Sequence, residues 1–169
     1  MPGGTVGPCA STLRAVRSPR DQPEKMMPVN WKIAQRKAAN TARWAVTMTK
    51  VRIRRVLART RWQLVTFCGK SGGESVGIVD LLAVRKDHGT PRDVMKRGDA
   101  LHVVLIQVKG GKAAMPTPED TIRLRAVARW HRARQVLLAS WKRGKAVEFY
   151  ELSTAGNWKR IEDLNAVFR

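Results

Sequence analysis

The sequence predicts an α/β domain, and three observations lead there. A long alanine-containing stretch with helical spacing comes first. Short aliphatic runs of strand length follow it, separated by glycine-rich or charged turns. A second helical stretch then falls between two of those runs. Apolar residues make up 43% of the 169 positions, enough for one core of ordinary size and a squeeze for two.

Taken in order, residues 1–29 are rich in Pro, Gly, Ser and charge and are expected to form a disordered basic tail. Residues 30–169 are left as a single domain. Asn30 suits the N-cap of a helix over 30–61. Ala34, Ala38, Ala42 and Ala45 recur there at helical intervals, and Trp44, Met48 and Val51 form an i, i+4, i+7 apolar stripe. The segment "TMTKVRIRRV" also alternates as a strand would, which leaves the end of this helix open. "QLVTF" (63–67) reads as a short strand, "CGKSGGES" (68–75) as a glycine-rich turn and "VGIVDLLAV" (76–84) as a strand with one acid in it. A polar loop leads to the strand "LHVVLIQVK" (101–109). After the loop "GGKAAMPTP", the segment "EDTIRLRAVARWHRA" predicts a helix opened near Thr117, with Glu119 and Asp120 in its first turn and Ile122, Leu124, Val127 and Trp130 on its apolar side. "QVLLASW" (135–141) and "AVEFYEL" (146–152) are two further strands. "NWKRIEDLNAVF" is expected to close the chain as a short helix.

Charge restricts the partners. There are 33 Lys plus Arg against 13 Asp plus Glu, a formal +20, and so basic a domain is expected to meet a polyanion, nucleic acid first. Between Trp31 and Gly73 there are 11 Lys or Arg and no acid, a helix-plus-turn segment that repels itself unless an anion lies nearby. Arg36, Lys37 and Arg43 on the first helix, Lys70 and Ser71 in the glycine-rich turn, and Lys112 after the third strand are the expected phosphate contacts. Cys9 and Cys68 fit no zinc motif and make no disulfide framework, so a reducing, cytoplasmic setting is expected. No run approaches the ~20 apolar residues of a membrane helix. The three histidines have no HExxH or HxxxH spacing, and "CGKSGG" lacks the first glycine of a phosphate loop.

Asp80 stands among aliphatics, where an unpaired carboxylate costs several kcal/mol unless it is paired or binds a metal. Gln107 and Lys109 share one strand face because side chains repeat with period two. If the two strands are neighbours, the three side chains converge at one sheet edge. An acid and an amide oxygen suit a hard cation such as Mg²⁺, and an ammonium can orient a water or stabilise a phosphate. Each residue also has a plainer reading. Asp80 could pair with Arg85 or cap a turn, Gln107 could be a satisfied buried amide, and Lys109 could snorkel outward.

"GIVDLLAV" followed by "VLIQVKGG" resembles the PD-(D/E)xK nuclease superfamily, in which a hydrophobic strand carries an Asp and the next strand (D/E)xK. With the Ser/Gly-rich loop ahead of the Asp, residues 63–152 look most like the Holliday-junction resolvase type. The resemblance implies a restriction-endonuclease-like fold, a central mixed sheet flanked by helices on both sides. It also implies a Mg²⁺- or Mn²⁺-dependent endonuclease acting on branched or otherwise structured DNA as a homodimer. Asp80 then matches the metal-binding Asp and Lys109 the catalytic Lys. Asp80, Gln107 and the Val108 carbonyl would hold the metal. Gln107 departs from the usual Glu or Asp and removes a charge from the ion site. Val79 stands where the signature has Pro. The family commonly adds a Glu on the first helix. Trp31–Gly73 has none, and Glu74 is the nearby carboxylate that could compensate. The alternative expectation is a non-catalytic nucleic-acid-binding module on a degenerate nuclease fold. A ribonucleoprotein component acting through charge alone is a third.

Overall fold

Among the described residues three helices and six strands follow in the order α1 (Trp31–Leu57), β1 (Gln63–Thr66), β2 (Leu81–Lys86), β3 (Leu101–Gly110), α2 (Pro118–Trp130), β4 (Gln135–Trp141), β5 (Glu148–Leu152), β6 (Trp158–Ile161) and α3 (Leu164–Val167). The computed structural model describes residues 30–67, 77–89 and 95–169, so the tail expected over 1–29 lies outside the described residues. The strands lie in one sheet in sequence order, β1-β2-β3-β4-β5-β6. All neighbours are antiparallel except β3 and β4. The chain returns from β3 to β4 through α2, as a parallel pair requires. The α/β class and the mixed sheet follow.

Alternate strand residues feed two cores on opposite faces of the sheet. Leu81, Ala83, Val104, Ile106, Leu137, Ala139 and Phe149 pack under α1 with Ile53, Val56 and Leu57, and Leu164, Val167 and Phe168 around α3 close that side. Leu105 and Val136 pack with Leu124 of α2, with Leu82, Val103 and Val127 partly buried beside them. A helix therefore covers each face.

Helix α1 begins where Asn30 accepts the Ile33 N–H at 3.5 Å and stays helical through "TMTKVRIRRV". The apolar stripe noted in the sequence faces outward. Trp44 is 59% exposed, with Met48 and Val51 exposed beside it. The buried face is Ala45, Thr49, Ile53, Val56 and Leu57. The reason is close approach. A Cβ placed on Gly110 would meet the Ala45 Cβ at 2.9 Å and the Thr41 carbonyl oxygen at 3.1 Å, so small residues set the face and a Trp cannot. Gly111 follows with φ +69°, a left-handed conformation that glycine adopts without strain. These two glycines seat α1 on the exit of β3. Residues 31–40, ahead of that contact, are all exposed.

Helix α2 is capped by Thr117, whose hydroxyl accepts the Asp120 N–H at 3.1 Å. It buries Leu124 and half-buries Val127, whereas Ile122 is exposed and Trp130 is 85% exposed. The segment 157–168, expected to be one helix, divides. A turn built on Ser153, which accepts the Asn157 N–H at 3.1 Å through its hydroxyl, and on Gly156 at φ +90° reverses the chain. Trp158–Ile161 then pairs antiparallel with β5. Only Leu164–Val167 is helical, with the Asp163 carboxylate accepting the Asn165 N–H at 2.9 Å.

Candidate active site

The end of the sheet where β2 begins and β3 ends gathers the candidate chemistry. Leu81 pairs with Ile106, which places Asp80 opposite Gln107. Asp80 is not inside β2, as the aliphatic run implied, but one residue ahead of it. Its own N–H donates to the Ile106 carbonyl at 3.0 Å, and its Oδ2 accepts the Val108 N–H at 2.6 Å. A side-chain carboxylate thus ends the β2–β3 ladder, which is why regular strand starts only at Leu81.

Gln107 and Lys109 alternate with Val108, whose side chain packs on the α1 side. They face α2. Gln107 is 6% exposed, and its Oε1 has no hydrogen-bond partner. A buried amide oxygen left unmatched is expensive, on the order of 1–3 kcal/mol, and among the described residues Gln107 shares that condition with Thr49 Oγ1, Trp62 Nε1, Gln135 Oε1 and Trp158 Nε1. Lys109 Nζ lies 3.9 Å from Asp120 Oδ2, both side chains about one-third exposed. The lysine is therefore drawn toward the first turn of α2. A half-exposed pair at that distance contributes well under ~1 kcal/mol to stability, which fits positioning better than scaffolding.

Asp120 is the residue that sequence reasoning missed as part of this group. It was legible as a first-turn acid of α2, but nothing in the sequence says that this turn lies over the exit of β3. Its neighbour Glu119 is held below the ordinary carboxylate range by a backbone N–H at the helix start and by the Thr117 hydroxyl.

The remaining expected contacts divide by place. Arg36, Lys37 and Arg43 are exposed on α1, two of them within the segment that runs ahead of the Gly110 seam, and Lys112 is exposed in the turn after β3. Lys70, Ser71 and Glu74 lie outside the described residues. Arg85, proposed as a plain partner for Asp80, instead places its guanidinium 4.9 Å over the Trp62 ring. Among the described residues no three His, Cys, Asp or Glu side chains come together to hold a metal ion. Among the same residues no helix is long and apolar enough to cross a membrane. Comparison of the chain with protein-family models, curated proteins and solved structures returned no significant match.

Proposed function

We propose that this protein is a Mg²⁺-dependent endonuclease that hydrolyses phosphodiester bonds of DNA, branched or otherwise structured, on a restriction-endonuclease-like fold. One observation supports the reading: Asp80, bonded through Oδ2 to the Val108 N–H, sits at the sheet end where Gln107, whose buried amide oxygen has no partner among the described residues, and Lys109 flank Val108 on β3. That is the set which the QxK variant of the PD-(D/E)xK pattern needs. Helix α1 leads ten exposed residues past the same end, with Lys32, Arg36 and Lys37 among them. At 1.5 Å per residue this arm is about 15 Å long.

The donor set fits a hard cation in kind, all oxygens, though with less charge than a two-carboxylate site. Asp80, Gln107 Oε1 and the Val108 carbonyl would hold it, and when bound such an ion polarises a phosphoryl oxygen and acidifies a water. The chain's own residues do the rest. The Val108 N–H fixes one carboxylate oxygen of Asp80 and so its orientation. Lys109 donates to an attacking water or to the phosphate. Asp120 keeps the ammonium turned toward the site. Arg36, Lys37, Arg43 and Lys112 neutralise the DNA backbone.

Two outcomes check this assignment. Gln107→Glu restores the missing charge, and is expected to lower the Mg²⁺ concentration giving half-maximal cleavage by a factor on the order of ten. A Mg²⁺ titration of cleavage that does not move would count against Gln107 as a ligand. Binding to a four-way DNA in EDTA is expected to weaken linearly in log–log with salt, and the combined Arg36→Gln, Lys37→Gln and Arg43→Gln variant should lower that slope by up to about 0.9 per lost phosphate contact. An unchanged slope removes α1 from the interface.

The limited carboxylate count supports a second reading, a nucleic-acid-binding module without catalysis on the same fold. It predicts the same salt dependence with no cleavage of linear, flapped or four-way DNA in Mg²⁺ or Mn²⁺.

A further inference from the structure

At the other end of the sheet lies a concavity of about 820 Å³ that the Asp80 chemistry does not use. It is walled by Arg55 from the last turn of α1, Arg59 and Arg61 from the turn that follows, and Arg85, Lys86 and Asp87 from the exit of β2. Lys86 pairs with Leu101 while Leu81 pairs with Ile106. At about 3.3 Å per strand residue the two sites are therefore roughly 20 Å apart.

Asp87 is the one side-chain acid among the described residues of the wall, and it is already engaged. Its Oδ1 accepts the Gly89 N–H at 2.8 Å and lies 3.2 Å from His102 Nε2. With Arg169 from the end of the chain, six cationic side chains converge on one concavity, whose one side-chain acid among the described residues is tied to Gly89 and His102 of the same wall. One of the six is held in place: the Arg85 guanidinium lies 4.9 Å over the ring of Trp62, which is itself buried and meets Phe168 edge-on at 5.5 Å between centroids. A guanidinium held over an aromatic ring loses less freedom when its N–H fork receives phosphate oxygens in pairs. The volume falls in the range of small-ligand sites, ~300–1,000 Å³.

We propose that this pocket binds the phosphate groups of a nucleotide, either free or as part of a nucleic-acid strand. The assignment stands on residues that take no part in the proposed cleavage, so either can fail without the other.

The test uses the whole chain in EDTA at fixed salt, with two probes: ATP, and a single-stranded dodecamer carrying a 5′-phosphate and a 3′ fluorophore. Arg59→Gln with Arg61→Gln is compared with Arg129→Gln with Lys142→Gln, exposed cations outside the pocket that remove the same charge. Arg59 and Arg61 are exposed turn residues, so both pairs should keep the wild-type melting temperature. The pocket pair is expected to weaken binding about tenfold or more, and the other pair less than twofold. Loss of ATP binding, with ATP displacing the strand from wild type, identifies a free nucleotide. Loss confined to the strand identifies a backbone or terminal phosphate. Equal losses from the two pairs, no loss from the pocket pair, or no binding of either probe by wild type overturns the proposal.

Discussion

Asp80→Asn is expected to lower Mg²⁺-dependent cleavage by about 10²- to 10³-fold, the scale of several kcal/mol of charge stabilisation removed, while DNA affinity in EDTA stays within about twofold. The substitution is chosen because Asp80 has two jobs. Its Oδ2 accepts the Val108 N–H at 2.6 Å, and Asn keeps an acceptor there. Asp80→Ala leaves that N–H unmatched and should in addition destabilise the fold by about 1–3 kcal/mol. The two variants together separate loss of chemistry from loss of structure by comparing cleavage rates with denaturant midpoints. Lys109→Ala should cost a similar 10²- to 10⁴-fold in rate with little effect on stability, because its ion pair with Asp120 is half-exposed. A wild-type chain that cuts no linear, flapped or four-way DNA with either Mg²⁺ or Mn²⁺ would falsify the enzyme reading and leave the binding module.

Gly110→Ala should destabilise by about 1–3 kcal/mol and lower the melting temperature by roughly 3–10 °C. The new methyl would lie 2.9 Å from the Ala45 Cβ and 3.1 Å from the Thr41 carbonyl oxygen, and the helix backbone cannot move aside as a flexible side chain could. Gly77→Ala, where a Cβ has nothing within 4 Å, serves as the comparison and should stay within about 0.5 kcal/mol of wild type. Equal effects of the two substitutions in thermal melts would show that the helix does not rest on the β3 exit as described.

The two predictions draw on different degrees of legibility in the sequence. Asp80, Gln107 and Lys109 could be picked out because polar residues in aliphatic runs are conspicuous and strand side chains alternate with period two. That rule needed no knowledge of the whole topology. The buried face of α1 was not legible because Trp44, Met48 and Val51 outweigh Ala45 and Thr49 in any count of apolar bulk. Burial here is decided by how close Gly110 lets the helix come, a property of a residue 65 positions away. Asp120 was visible as a helix-start acid, but its place over Lys109 depends on which sheet face α2 covers, and no local pattern encodes that. β6 was read as helix because a four-residue strand leaves little periodicity. The Ser153–Gly156 turn that specifies it carries its signal in one hydroxyl and one positive φ.

The strand order has a bearing on how the chain is made. Each strand of this sheet docks on the one translated just before it, so every strand after β1 emerges with its first partner already made. The residues from Asp80 to Lys109 can be assembled before β5 and β6 have emerged. For so cationic a nascent polypeptide, early closure of those hydrogen-bonded edges shortens the interval in which they could be captured by another chain.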